Sequence, residues 1–327
     1  TDFTRNGALL DEASKERIRE ISDELSKLGP TFSENVLGAT NSFELWIENE
    51  EDLEGLPESS RQAAAQAAAK KGRQGQWLIT LQAPSMVPFL KYSRRRHLRE
   101  QVWRAYMGRC YQDDFDNQKI ILKTVQLRHE RAQLLGARSH AEFVLQKRMA
   151  ESPAKVGEFL NELFEVSKPA AEKDVQDIQA FAKERDGLDT LMPWDFSFYA
   201  EKLKEERYHF NEEDLKPYFP LERVVQGVFQ HAEWLYGLRF QAQDSYPTYH
   251  KDVTVYEVYE QASDAFIGVL YTDFFPRDGK RGGAWMTNYH EQGMFRDELM
   301  RPHVSIVCNF SEPTSSEPSL LTFQEVQ

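Results

Sequence analysis

The spacing of apolar residues changes once along this chain, at Gly237, and that change limits the folds open to it. Before Gly237 apolar residues recur every three or four positions, the period of a helix with one buried stripe. After it they alternate, the period of a strand with one buried face. The expected fold is therefore mainly α: a multi-helix body over residues 1–237 with a short two-strand flap, then a small β-sheet region over 238–327 near the C-terminal end.

Within the first part, Ile18, Ile21, Leu25, Leu28 and Phe32 predict a long helix over residues 11 to 41. Gly29-Pro30 is expected to interrupt and kink it, because proline removes a helical hydrogen bond. Phe43–Ile47 and Trp77–Leu81 read as short strands that pair across an alanine-rich helix opened by Pro57 and ended by Gly72 and Gly75. Two helices are expected from Arg94 to Leu135, with Gly136 as a C-cap. Ser152-Pro153 is a start signal, an N-cap hydroxyl followed by proline at the first helical position. Pro169 is expected to divide that helix from another ending near Gly187. Further helices are expected over residues 195–206 and 221–236.

In the second part, Val253–Val258 and Phe266–Phe274 predict a hairpin turned at Ala262-Ser263-Asp264. Arg277–Gly283 is a loop rich in glycine and charge, and Gly283–Asn288 and Val304–Phe310 are strand candidates. After the Pro/Ser-rich stretch Ser311–Ser319, Thr322 and Glu325 stand at capping-box spacing. That helix has a start signal and no end, so the chain is expected to be part of a longer protein.

A formal net charge of −13 argues against nucleic acid as a partner, since phosphate binding needs a concentrated basic surface. The basic run Arg94 to Arg96 with Arg99 is read as a solvated or salt-bridged face. Cys110 and Cys308 stand far apart with no ligand spacing, as reduced thiols do. No apolar run approaches the ~20 residues that span a bilayer, so no membrane is expected as a partner.

Chemistry is conspicuous by what is not assembled. A zinc helix needs two histidines four residues apart, so that both imidazoles leave one face toward one metal. Four residues after His129 stands Gln133, and four after His290 stands Met294. His129 is read as a partly buried helix residue and His290 as loop surface. No nucleophile elbow, Walker loop or dinucleotide fingerprint occurs. Trp285, Tyr289 and the run Trp194, Phe196, Phe198 and Tyr199 are read as core ahead of a ligand groove.

An ordered set of short motifs does carry a resemblance. Leu191–Lys202 (LMPWDFSFYAEK), Lys216–Leu221 (KPYFPL), Gly227–Phe229, Leu235–Gly237, Tyr246–His250 (YPTYH), Val253–Val258, Lys280–Met286 (KRGGAWM) and Val307–Phe310 (VCNF) follow one another in a family order. Arg5–Ala8, Phe32-Ser33 and Leu134–Gly136 agree with it. Together they resemble the thimet oligopeptidase family of zinc metallopeptidases, most closely the bacterial peptidyl-dipeptidase (dipeptidyl carboxypeptidase) branch, and the resemblance covers essentially the whole chain.

It implies a zincin-type channel peptidase fold, cytoplasmic, acting on short unstructured peptides. In that family the pattern of Leu320–Val326 runs on into His-Glu-x-x-His, so the zinc and catalytic residues are expected beyond Gln327. Zinc is then expected in the intact parent enzyme and none on this chain, which would be inactive without the N- and C-terminal parts of the same protein. The resemblance also implies a substrate strand at Gly283, Ala284, Trp285 and Met286, where a peptide adds to a sheet edge through its backbone. The competing reading makes Gly283 a turn residue and Trp285 core. Asn309 is a candidate for a structural hydrogen bond. The expected reaction is removal of C-terminal dipeptides from oligopeptides. The alternatives are an endopeptidase of the same family or a non-enzymatic helical module that binds a peptide or partner.

Overall fold

The computed structural model describes residues 2–314 and 316–327, so Ser315 of the Pro/Ser-rich stretch lies outside the described residues. In chain order the elements are α1 (Asp2–Arg5), α2 (Glu12–Ser42), β1 (Leu45–Ile47), α3 (Glu58–Lys70), β2 (Trp77–Ile79), α4 (Ala83–Tyr92), α5 (Arg96–Met107), α6 (Gln118–Leu134), α7 (His140–Leu145), α8 (Pro153–Asp186), α9 (Pro193–Tyr208) and α10 (Leu221–Tyr236). There follow β3 (Leu238–Ala242), β4 (Thr254–Glu260), β5 (Phe266–Asp273), β6 (Trp285–His290), β7 (Gly293–Phe295), β8 (Glu298–Met300), β9 (His303–Val307) and α11 (Phe323–Val326). The mainly α architecture with a sheet near the C-terminal end is thus the one observed. The chain forms two compact units, one of residues 1–42 with 104–196, the other of residues 43–103 with 197–327.

The first unit is helical. Its α2 runs unbroken through Pro30, where an interruption was expected. Proline clashes with the Cβ of the residue before it, and here that residue is Gly29, which has none. Thr31 and Ser33 donate their hydroxyls to the carbonyls of Lys27 (2.9 Å) and Gly29 (3.2 Å), holding the flanking turns. Gly38 of the same helix lets the Phe115 ring lie against the backbone, since a Cβ there would stand 2.3 Å from it. Pro169 likewise fails to divide α8, which is one helix from Pro153 to Asp186. The turn around it is exposed, so water can bond the carbonyl that the proline leaves without a donor. Ser152 caps α8 at the Lys155 amide. His129 sits on α6 as expected, but exposed instead of partly buried. Ala132, Ala137 and Phe143 form a local core, with the Arg5 guanidinium 4.0 Å over the Phe143 ring. Trp194 is buried as core.

The second unit holds the sheets. β1 and β2 pair antiparallel, Leu45 opposite Ile79 and Ile47 opposite Trp77. The connecting α3 buries Ala64 and Ala68, whose small side chains allow close approach. Arg94 and Arg95 pair with Glu54 (2.8 Å) and Asp52 (3.2 Å), the salt-bridged face expected of the basic run. Arg99 differs from that expectation. It is 1% exposed, donates to the Ser93 carbonyl at 2.7 Å and stacks 4.2 Å from the Phe198 ring. Phe198 and Tyr199 are buried core, whereas Phe196, read as core with them, is exposed.

The main sheet has the order β3-β4-β5-β9-β6. β5 and β9 run parallel, and the other neighbours are antiparallel. Helix α10 packs on β3 and β4 through Phe229, stacked 4.1 Å from Phe240 and edge-on to Tyr256 at 4.8 Å. The other layer is built from Val253, Val255, Val269 and Tyr271. Thr322 and Glu325 close the expected capping box at the start of α11.

Candidate functional site

β6 is an edge strand. It pairs with β9 from Trp285 opposite Val307 to His290 opposite His303, and among the described residues no strand pairs with its other side. An open edge presents unpaired backbone donors and acceptors, a template for an added strand.

The sequence placed the strand over Gly283–Asn288, two residues too early. Gly283 has a φ of +98°, a left-handed conformation outside the β region that glycine adopts without a Cβ penalty. Gly283 and Ala284 are therefore the entry to the strand, and Trp285 and Met286 its first two residues. Asn309 fixes that entry by donating to the carbonyls of Gly283 (2.7 Å) and Arg281 (3.1 Å), the structural hydrogen bond anticipated for it. Trp285 is half-buried under the Arg281 guanidinium at 4.4 Å. Met286 is 60% exposed.

The loop before β6 is anchored by a group that sequence reasoning missed. Asp273, at the end of β5, is 1% exposed. Arg277 grips its carboxylate with two bonds of 2.8 Å, Lys280 reaches it at 2.9 Å and the Tyr249 hydroxyl donates at 2.9 Å. Burial alone would push this carboxyl up; the bonds from Arg277, Lys280 and Tyr249 overcome it and hold the pKa at about 2. Lys280 also donates to the carbonyls of Asp273 (2.9 Å) and Phe275 (2.8 Å), which folds residues 273–280 into a closed turn. The available signal was an acid ending an apolar strand with Arg and Lys four and seven residues on.

At the far end of β6 a second feature appears. The register shifts between Asn288 and His290, a bulge that re-aims side chains. Tyr289 meets Tyr271 at 5.6 Å and Tyr249 at 6.5 Å, both nearly perpendicular. His290, read as loop surface, ends the strand half-buried and donates from Nδ1 to the Arg301 carbonyl, 3.1 Å away. His303 lies 6.1 Å from it, ring to ring. Burial, and then the neighbouring His290, pushes the His303 imidazole below its usual range. These groups and the β7–β8 hairpin line a cavity of about 880 Å³.

Among the described residues no group of three His, Cys, Asp or Glu comes together that could hold a metal ion. Cys110 and Cys308 are both free thiols. Among the described residues no helix is long and apolar enough to cross a membrane.

Comparison with known proteins bears on the whole site. A sequence profile of peptidase family M3 matches residues 89–327, in agreement with the resemblance carried by the motifs. Oligopeptidase A of Haemophilus influenzae is 39% identical over 99% of this chain and 48% of its own length. Dipeptidyl carboxypeptidase of Escherichia coli is 34% identical over 99% of the chain and 48% of its own length. Saccharolysin of Saccharomyces cerevisiae is 31% identical over 99% and 47%. The chain thus spans about half the length of the curated relatives it matches.

Proposed function

The chain belongs to peptidase family M3, and from that premise we propose that it forms the peptide-binding half of a zinc-dependent oligopeptidase. The observation that carries this reading is the open edge of β6 in a sheet whose neighbouring loop is locked by Asp273. An extended peptide running antiparallel to β6 exchanges backbone hydrogen bonds with it from Trp285 onward. The rigid Gly283 entry keeps that edge in place, and small Gly283 and Ala284 leave room for the peptide backbone. Only an unstructured peptide has such bonds free to give, so short flexible peptides are the substrate class.

Zinc in the family supplies a polarised water for hydrolysis. The ligands for it belong, in this reading, to the part of the relatives' length that the chain does not span. Higher identity to oligopeptidase A than to dipeptidyl carboxypeptidase favours general oligopeptide cleavage over strict release of C-terminal dipeptides. The exposed stripe Phe159, Leu160, Leu163 and Phe164 on α8 suits burial against that remaining part. The two free thiols suit a reducing, cytoplasmic setting.

A photo-crosslinking amino acid at Met286 tests the edge-strand role. It should capture an added oligopeptide, whereas the same group at the exposed Phe3 should not; equal capture at both positions would count against the proposal. Metal analysis and peptide cleavage on the purified chain test the division of labour. Stoichiometric zinc with chelator-sensitive turnover would refute it.

A further inference from the structure

The cavity at the His290 end of β6 has walls that belong to the strand itself. Tyr289 and His290 of β6 line it together with Tyr271, His303 and Leu299 and Met300 of the β7–β8 hairpin. At about 880 Å³ it lies within the range of small-ligand sites, about 300–1,000 Å³. A peptide antiparallel to β6 runs from its amino end near His290 to its carboxyl end near Trp285, because the strands oppose. Its alternate side chains leave on one face of the sheet, so a residue in its amino-terminal part projects over this cavity.

The chemistry of the lining selects the guest. Tyr271 and His303 are bonded to each other, hydroxyl to Nδ1 at 3.3 Å. The His290 Nδ1 is engaged by the Arg301 carbonyl, and the Arg301 guanidinium by Gln292 at 3.1 Å. These polar groups already have partners and do not call for a charged ligand. The ring faces are different. Tyr289 stands at 83° to Tyr271 and 76° to Tyr249, and it is 52% exposed. Perpendicular rings leave positions that another ring fills edge-to-face, the arrangement aromatic pairs prefer. The bulge between Asn288 and His290 turns Tyr289 into this wall.

We infer that this cavity is a side-chain subsite that recognises an aromatic residue on the amino-terminal side of a peptide bound along β6. The inference deepens the edge-strand proposal and rests on it. It assigns Tyr289 a role in specificity, separate from the backbone pairing that holds any peptide.

The experiment is a binding scan on the 327-residue chain. Blocked alanine-rich hexapeptides, labelled at the C-terminus, carry a single Phe at each position in turn, and affinity is read by fluorescence anisotropy. One position toward the amino end should bind about tenfold tighter than the all-alanine peptide, and Glu there should give no gain. Tyr289→Ala should reduce the Phe preference, read as the ratio of Phe-peptide to all-alanine affinity in the same variant, to within about twofold. Leu299→Arg, at an exposed position of the mouth, should do the same without touching β6. Equal binding for every Phe position, or a preference that survives both variants, overturns the subsite and leaves the edge strand standing. N-methylation of the peptide backbone tests that edge independently. If methylated and unmethylated peptides bind alike, or none binds at millimolar concentration, the edge-strand reading fails and the subsite with it.

Discussion

Asp273 shares one carboxylate among Arg277, Lys280 and Tyr249, all within 2.9 Å. Replacing it with Asn leaves a guanidinium and an ammonium beside a neutral amide, with Lys280 itself buried. Removing one partner from a buried pair costs about 3–5 kcal/mol, so Asp273→Asn should lose that much in urea unfolding. A loss under about 1 kcal/mol would mean the anchor is dispensable. The pH dependence has a definite sign. The folded pKa of about 2 lies below the ordinary 3.8, so the contribution is full above pH 4 and disappears as pH falls toward 2. At about 1.4 kcal/mol per unit of difference it amounts to roughly 2 kcal/mol. Asp273→Asn should lack this acid limb, and identical pH profiles for the two proteins would contradict the assignment. Two glycines separate backbone from packing. At Gly283 a Cβ meets nothing within 4 Å but the φ is +98°, so Gly283→Ala should cost about 1–2 kcal/mol through conformation alone. At Gly38 the Cβ would stand 2.3 Å from Phe115, and Gly38→Ala should cost about 1–3 kcal/mol through overpacking.

At the scale of elements, the Ser152 cap of α8 tests how local signals carry a long helix. Ser152→Ala removes the bond to the Lys155 amide and should lower stability by about 1 kcal/mol, with fraying visible in amide exchange over the first turn. Capping signals of this sort were legible in the chain itself, as at Thr322 and Glu325. So were the periodic strands Thr254–Glu260 and Phe266–Asp273. Proline was the misleading signal, since Pro30 and Pro169 read as breaks while α2 and α8 run on. The reasons lie in context: a glycine before one, and solvent around the other. The β7–β8 hairpin was not legible, because each strand has three residues. Its turn also places Arg296 and Asp297 at positive φ in place of the usual glycine or asparagine. The edge position of β6 depends on strand order, which only long-range pairing decides. The segment named by the family motif, Gly283–Met286, runs into that edge strand, whereas Tyr249 meets Asp273 and lines a cavity with His303 from three separate stretches that no local pattern connects.

For the molecule as a whole, the 48% span of its relatives is the governing fact. A stripe with Phe159 58%, Leu160 56% and Phe164 54% exposed on one helix is more apolar surface than a lone soluble domain usually leaves open. The purified chain should therefore associate as its concentration rises, and Phe164→Glu should reduce that association in sedimentation velocity. The central claim concerns β6, and hydrogen exchange reads it directly. Saturating oligopeptide should slow exchange of backbone amides within residues 285–290, leaving β3, the opposite edge of the same sheet, unchanged. If bound peptide protects β3 or no strand at all, while β6 exchanges as fast as in the free protein, the substrate-strand account is wrong.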